Sequence, residues 1–338
     1  MRLPCLQHPH FHVKLQYMIK LKYKLAANKV RKQFGTGDKK RDEGQTTPEN
    51  IIRFDNIQYG EDCKFKKWQL LDVYRPKQSA PNEDKAPASA DKVTASDNKA
   101  PKLPVIVIVH GGGWVYGDKE VYQFYGMRLA QRGFAVVNYS YRLAPEVKFP
   151  ASLQDTEKVF QWICDNAEQY GFDTQNVFAV GDSAGGHLLS LYASAVTNEA
   201  YAKNFPFIQK KNLVLRGVGL NCGVYEMSYS ADKSQSNILI EALMPKGGTK
   251  EELQLINAIA HITNAFPPAF IMTAKGDFLV TQGPVMAKAL TAAGVPHEYK
   301  CYGTDEMPLW HVFHCDPRLP EAVICNDDEC NFFKSLII

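Results

Sequence analysis

Ser183 stands with Gly181, Gly185 and Gly186 around it in the stretch VFAVGDSAGGHLLSLYASAV, residues 177–196. A serine hydroxyl is a weak nucleophile until a neighbouring base takes its proton. Before it, Val177, Phe178, Ala179 and Val180 form a short apolar run; after it, Leu188, Leu189, Leu191 and Tyr192 recur at helical spacing. A sharp strand–serine–helix turn needs small neighbours. It also sets the hydroxyl at a helix N-terminus, whose free N–H groups and positive dipole end favour a developing anion.

A second segment, HGGGWVYGD at 110–118, follows the apolar run LPVIVIVH directly. Consecutive glycines let the backbone approach a ligand and turn its N–H groups inward. The lysine-containing spacing of a phosphate loop is absent. Paired with the serine turn, the run reads as an oxyanion hole, with Gly112 and Gly113 as donors beside the N–H of Ala184. Trp114 and Tyr116 come next and would narrow a substrate pocket beside the carbonyl under attack.

The base must come from nine histidines. His8, His10 and His12 lie in the leader, His110 opens the glycine run, and His187 is one helical turn past Ser183, where packing is the better reading. His261 falls in a helical stretch and His297 begins a strand. Ligand sites of parallel sheets lie outside the carboxyl ends of the strands. His311 and His314 satisfy that rule after strand 297–302, and Asp277 satisfies it after strand 269–274. Asp305 is a rival for the acid and His314 for the base.

These residues have to be held by regular structure, and the pattern supplies it. IIRFDNIQYG and KWQLLDVYRP read as two strands joined by a turn. From 103 onward apolar strand runs alternate with helical stretches: 121–133, 152–170 with Gly171 past its end, the helix after Ser183, 283–294 and a closing helix over 318–336. Such alternation means an α/β fold with a mostly parallel twisted sheet covered by helices on both faces. Residues 223–265 read as a less regular helical excursion, a small cap or lid that carries Glu226, Asp232, Lys233 and Lys246. The segment 78–101 is rich in Ala, Pro, Asp and Lys, too polar to offset its ordering entropy, and predicts a mobile loop inserted between two strands. The rest of 51–338 forms one domain.

The chain has 338 residues, 45% hydrophobic and 22% charged, enough to bury a large core without metals or disulfides. Its net charge of +3 points to no nucleic acid, and the basic excess sits in residues 1–50, where 11 Lys and Arg face 4 Asp and Glu. That segment, with a helix expected around 18–34, reads as solvated or cap-forming. No apolar run approaches the ~18 residues of a membrane span. The N-terminus lacks the apolar core of a secretory signal, so the expected location is cytoplasmic. Eight scattered cysteines fit reduced thiols. The group His311, His314, Cys315, Cys325 and Cys330 matches no zinc spacing, so no metal is expected.

Four segments together resemble the hormone-sensitive-lipase-like family of α/β-hydrolases, near its bacterial acetyl esterases. They are HGGGW at 110–114, YRLAPEVKFPAS at 141–152, GDSAGG at 181–186, and GDFLV at 276–280 followed by HVF at 311–313. The resemblance covers about 50–338 and implies the α/β-hydrolase fold, Ser183 as nucleophile, Asp277 as acid, His311 as base, and Gly112, Gly113 and Ala184 as oxyanion donors. It implies a small-molecule ester as substrate, no cofactor and no stable membrane insertion, and it leaves homo-oligomers open. Two departures stand out: Phe278 where the family has proline after the acid, and Val312 where it has glycine after the histidine. Rival readings are a hydroxycinnamoyl esterase, a serine peptidase and a non-catalytic binding protein on the same fold. Turnover of a generic short-chain ester separates the last from the others.

Overall fold

The computed structural model describes residues 9–61, 67–77, 102–209, 211–229 and 235–338, with side chains of the first helix described from 17 on. The expected mobile loop 78–101, and Asp232 and Lys233 of the excursion, lie outside the described residues. The chain runs α1 (Pro9–Asp42), β1 (Ile51–Gln58), β2 (Leu70–Pro76), β3 (Leu103–Val109), α2 (Gln123–Ala130), β4 (Ala135–Tyr139), α3 (Ala151–Asp165), α4 (Ala167–Tyr170) and β5 (Phe172–Asp182). It continues α5 (Ala184–Thr197), α6 (Glu199–Ala202), β6 (Leu215–Asn221), α7 (Gln235–Leu243), α8 (Lys250–Leu255), β7 (Ala269–Ala274), α9 (Gln282–Ala293), β8 (His297–Tyr302) and α10 (Pro320–Ser335).

The strands form one sheet in the order β1-β2-β4-β3-β5-β6-β7-β8. β1 and β2 pair antiparallel, as do β2 and β4, and every later pair is parallel. The parallel strands at the centre are apolar on both faces because helices cover both: Val105 to Val109 are all buried, and so are Val177 to Val180. Strand order jumps at β3, with β4 to one side and β5 to the other. At that switch point the carboxyl ends of β3 and β5 open a crevice, and the glycine run and Ser183 leave from those two ends.

Several boundaries differ from the sequence reading. The helix expected over 152–170 breaks at Asn166, whose side chain caps back onto the Trp162 carbonyl at 2.9 Å, and α4 then stops at Gly171, φ +61°, the expected helix end. β5 begins at Phe172 because Leu103 and Pro104 recruit Phe172 and Asp173 into the sheet before a bulge. The first helix spans Pro9–Asp42 rather than 18–34. Tertiary anchors hold it: Ala27 and Val30 are buried, Lys22 pairs with Glu241 on α7 at 2.8 Å, and Arg31 grips Glu146 at 2.7 Å and the Val115 carbonyl at 2.8 Å. The excursion 223–265 contains α7, α8 and a 3₁₀ turn at Ala258–His261, with a Thr249–Glu252 capping box starting α8. No helix among the described residues is long and apolar enough to cross a membrane.

Under the sheet, α10 carries the buried Glu329, which accepts from Asn221 Nδ2 at 2.8 Å and from the Tyr125 hydroxyl at 3.0 Å. Burial pushes this carboxyl from its ordinary 4.5 up to about 7. A raised carboxyl favours the native state fully below the unfolded value, and that contribution is lost as pH rises through the folded value. Glu329→Gln keeps an acceptor oxygen and removes the ionisation. Its stability relative to the parent should therefore be higher at pH 8 than at pH 5 by roughly 2–3 kcal/mol, read from urea unfolding at both pH values. An equal difference at the two pH values would show that Glu329 ionises as it does in water.

Candidate active site

Ser183 sits between β5 and α5 with φ +51° and ψ −119°, a conformation side chains rarely adopt. Its N–H donates to the Asn221 carbonyl at 3.0 Å, and its own carbonyl accepts from His187 N at 3.1 Å. The flanking glycines are forced by space. A Cβ on Gly185 would lie 2.0 Å from the Val109 carbonyl oxygen, and one on Gly181 would lie 2.6 Å from that of Gly185.

Asp277 and His311 come from the loops after β7 and β8, as the edge rule requires. His311 Nδ1 and Asp277 Oδ1 are 2.9 Å apart, and Oδ1 also accepts the Leu279 N–H at 2.7 Å. The two loops are tied together by the Gly276 N–H, which donates to the Leu309 carbonyl at 2.8 Å. The Asp277 side chain is fully buried and that of His311 is 18% exposed, so the pair has one dry end and one end facing the cavity. Burial alone would raise the Asp277 carboxyl; the hydrogen bond and charge of His311 outweigh it and hold it below the ordinary carboxylate range. The rivals fare differently. His314 is buried, packs edge-on against Tyr125 at 5.0 Å, and is held down to about 3 by burial. Asp305 is 84% exposed and pairs with Lys275 at 3.2 Å.

The glycine run turns sharply, with φ +112° at Gly112, +59° at Gly113 and +63° at Trp114. The Gly112 carbonyl is taken up by the N–H groups of Val115 and Tyr116 at 3.2 and 3.0 Å. His110, stacked on Tyr141 at 4.0 Å, donates from Nδ1 to the Gly111 carbonyl at 2.8 Å. Burial holds His110 down to about 4, so it is a neutral donor. With these carbonyls engaged, the Gly112 and Gly113 N–H groups have no recorded partner among the described residues.

A cavity of about 810 Å³ joins these parts, lined by Gly111, Gly112, Tyr116, Asp182, Ser183 and His311, with Phe278 and Trp310 at its rim. Phe34, Asp38 and Arg41 of α1 form another part of its wall. Tyr116 is fixed there by a 2.8 Å hydrogen bond from its hydroxyl to Asp38 and by an edge contact with Phe34. Trp114 departs from the pocket-narrowing role expected of it. Its positive φ turns the indole inward, where it is buried with Nε1 donating to His187 Nδ1 at 3.1 Å, and it is not among the lining residues. His187 in turn contacts the Ile256 carbonyl through Nε2 at 2.7 Å, so both ring nitrogens serve packing.

Cys222 escaped the sequence reading, since nothing near it in the chain marks it. It directly follows β6 with φ +46°, and its sulfur lies with the Asp277 carboxylate and a His311 ring nitrogen inside a 4.8 Å group. Burial and the Asp277 carboxylate push its thiol well above the ordinary range, so it meets the acid as a protonated thiol. The N-terminal segment was expected to be solvated or cap-forming, but no local signal singles out Phe34, Asp38 and Arg41 as wall residues of a site built after 103.

Residues 92–290 match the BD-FAE family. A versiconal hemiacetal acetate esterase from Dothistroma septosporum is 28% identical over 66% of this chain and 70% of its own length. Carboxylesterase NlhH of Mycobacterium tuberculosis is 29% identical, over 58% of this chain and 63% of its own. Esterase B from Lactobacillus rhamnosis, solved with a C6-C4 inhibitor, superposes with a TM-score of 0.79 at 26% identity, over 93% of this chain and 96% of that one. A serine turn, a glycine run and an acid–histidine pair meeting at one end of a mostly parallel sheet agree with these likenesses, and the chain belongs to the BD-FAE family, among the hormone-sensitive-lipase-like α/β-hydrolases.

Proposed function

We propose that the protein is a serine esterase that hydrolyses short-chain carboxylic esters through an acyl-enzyme. The observation that carries this is the 2.9 Å His311–Asp277 contact on the wall of the cavity that Ser183 also lines. In this reading Ser183 Oγ attacks the ester carbonyl while His311 Nε2 takes its proton. Asp277 holds the Nδ1–H and stabilises the imidazolium that forms. The oxyanion receives the N–H groups of Gly112, Gly113 and Ala184, usually the largest single catalytic contribution. The alcohol leaves with the proton from His311, and water then repeats the sequence on the acyl-enzyme. None of these steps calls for a cofactor.

The cavity wall supports short acyl groups. Tyr116 is clamped on two sides, and next to it the wall carries the charged pair Arg41 and Asp38, 2.9 Å apart. A long alkyl chain gains ~0.8 kcal/mol per methylene only where it can be buried against apolar surface. Polar groups at the mouth, among them Gln33, Lys40 and Glu43, suit a hydroxyl-bearing alcohol such as an acetylated sugar. A second reading, an ester with an aromatic acid part, draws on the rim residues Phe278 and Trp310, which are 72% and 54% exposed. In both readings α1 and the 223–265 excursion act together as the cap.

Ser183→Ala, His311→Ala and Asp277→Asn should each lower kcat by roughly 10⁴-fold or more with the fold retained, measured on nitrophenyl acetate. His314→Ala should reduce thermal stability and leave turnover within about tenfold of the parent. Ser183→Ala turning over at the parent rate would end the proposal. Across nitrophenyl esters from acetate to palmitate, kcat/KM should peak at about four carbons or fewer. A peak at about eight carbons or beyond would mean the acyl chain bypasses Tyr116 into an apolar tunnel.

A further inference from the structure

We infer that Tyr122 is a positioning residue for the oxyanion loop, anchored by Asp182. Tyr122 immediately precedes α2 and is 5% exposed. Its hydroxyl makes two hydrogen bonds in opposite senses. It donates to Asp182 Oδ2 at 2.7 Å, and it accepts the Gly111 N–H at 2.9 Å. Asp182 is buried and directly precedes Ser183. One phenol therefore ties the end of the nucleophile strand to the start of the glycine run.

The effect on the donors follows from peptide planarity. The Gly111 N–H belongs to the His110–Gly111 peptide, whose carbonyl accepts the Tyr141 hydroxyl at 2.9 Å. Tyrosine hydroxyls thus hold both polar atoms of this unit, which cannot rotate. A peptide is rigid, so pinning its N–H and C=O fixes where the next unit begins. In that next unit the Gly111 carbonyl is drawn to His110 Nδ1, which leaves the Gly112 N–H directed away from it. Space is tight as well: a Cβ on Gly111 would lie 2.5 Å from Asp182 Oδ2 and 3.0 Å from the Tyr122 hydroxyl. A donor aimed in advance needs no reorganisation when charge develops on the substrate oxygen.

The kinetic part of the test rests on the esterase reading. Removing an oxyanion donor outright loses about 10²–10³ in kcat, and misaiming one should lose less. Tyr122→Phe in the full chain should accordingly lower kcat by roughly 10- to 100-fold with KM within about twofold, and slow inactivation by an alkyl phosphonate in proportion. Tyr125→Phe is the control. It also removes a buried hydroxyl, one that contacts Glu329 rather than the loop, and it should leave kcat within about twofold. Asp182→Asn, which keeps an oxygen for Tyr122, should lose less activity than Asp182→Ala. Hydrogen exchange gives a readout independent of turnover. The Val115 and Tyr116 amides, bonded to the Gly112 carbonyl, should exchange faster in Tyr122→Phe and not in Tyr125→Phe. Unchanged kcat with unchanged exchange, or equal changes in the two tyrosine variants, would overturn the inference. A parent protein without turnover on any ester would instead defeat the esterase reading, and exchange alone would then decide the role of Tyr122.

Discussion

A serine held at φ +51° is the constraint from which the site is built. Such a conformation costs on the order of 1–3 kcal/mol and persists only where the surroundings over-determine it. Here the sheet does so. The Ser183 N–H is claimed by Asn221 at the end of β6, and its carbonyl by the first turn of α5. The close approach of α5 to the Val109 carbonyl leaves no room for a side chain at 185. Relaxing the serine would therefore mean separating three neighbouring strands from the helix that follows. The strain is bound to the core, where Val105 to Val109 and Val177 to Val180 pack out of contact with water.

The same geometry settles how distant parts of the chain meet. Parallel pairing of β6, β7 and β8 brings their carboxyl ends to one edge, so Cys222, Asp277 and His311 arrive together although 89 positions separate the first and last. The Gly276–Leu309 hydrogen bond then ties the Asp277 and His311 loops together, and a Cβ at 276 would sit 2.7 Å from that carbonyl oxygen. From the other side, Arg41 reaches the Val121 carbonyl and Arg31 the Val115 carbonyl, so α1 grips the chain that follows the glycine run. A helix that is mostly polar along its length stays folded there because Lys22, Arg31 and Arg41 tie it to α7 and to the loops after β3 and β4, and Ala27 and Val30 are buried, not because it carries a broad apolar face.

What could be read from the sequence was local. A strand ending in Gly-Asp-Ser and a glycine run after an apolar octet each declare their own backbone geometry, and the strand-edge rule then narrowed nine histidines to His311 and His314. The family resemblance of HVF at 311–313 favoured His311, and the structure adds that this ring faces the cavity while His314 packs on Tyr125. Cys222, Tyr122 and the 34–41 segment act through contacts that no periodicity encodes. Trp114 shows the opposite failure. Its place in the chain suggested a pocket wall, but its φ of +63° turns the ring into the core, where the indole N–H found a buried acceptor in His187. The split of α3 from α4 at Asn166 and the early start of β5 are likewise tertiary choices, made by a side-chain cap and by pairing with Leu103.

Burial sorts the histidines by what each can do. His110 and His187 are held down to about 4 and His314 to about 3, mainly by removal from water, and none of them has a carboxylate among the described residues hydrogen-bonded to its ring. A ring in that state can orient a carbonyl or fill a core, and two of these do so: His110 steadies the Gly111 carbonyl, and His187 joins Trp114 to Ile256. It cannot hold a proton during a reaction, because charging it would leave an unpaired cation in a dry interior. His311 differs in two respects: it keeps a face toward the cavity, and its other nitrogen meets a buried carboxylate that would offset the positive charge. Of these four imidazoles, His311 is the one that lines the cavity Ser183 also lines.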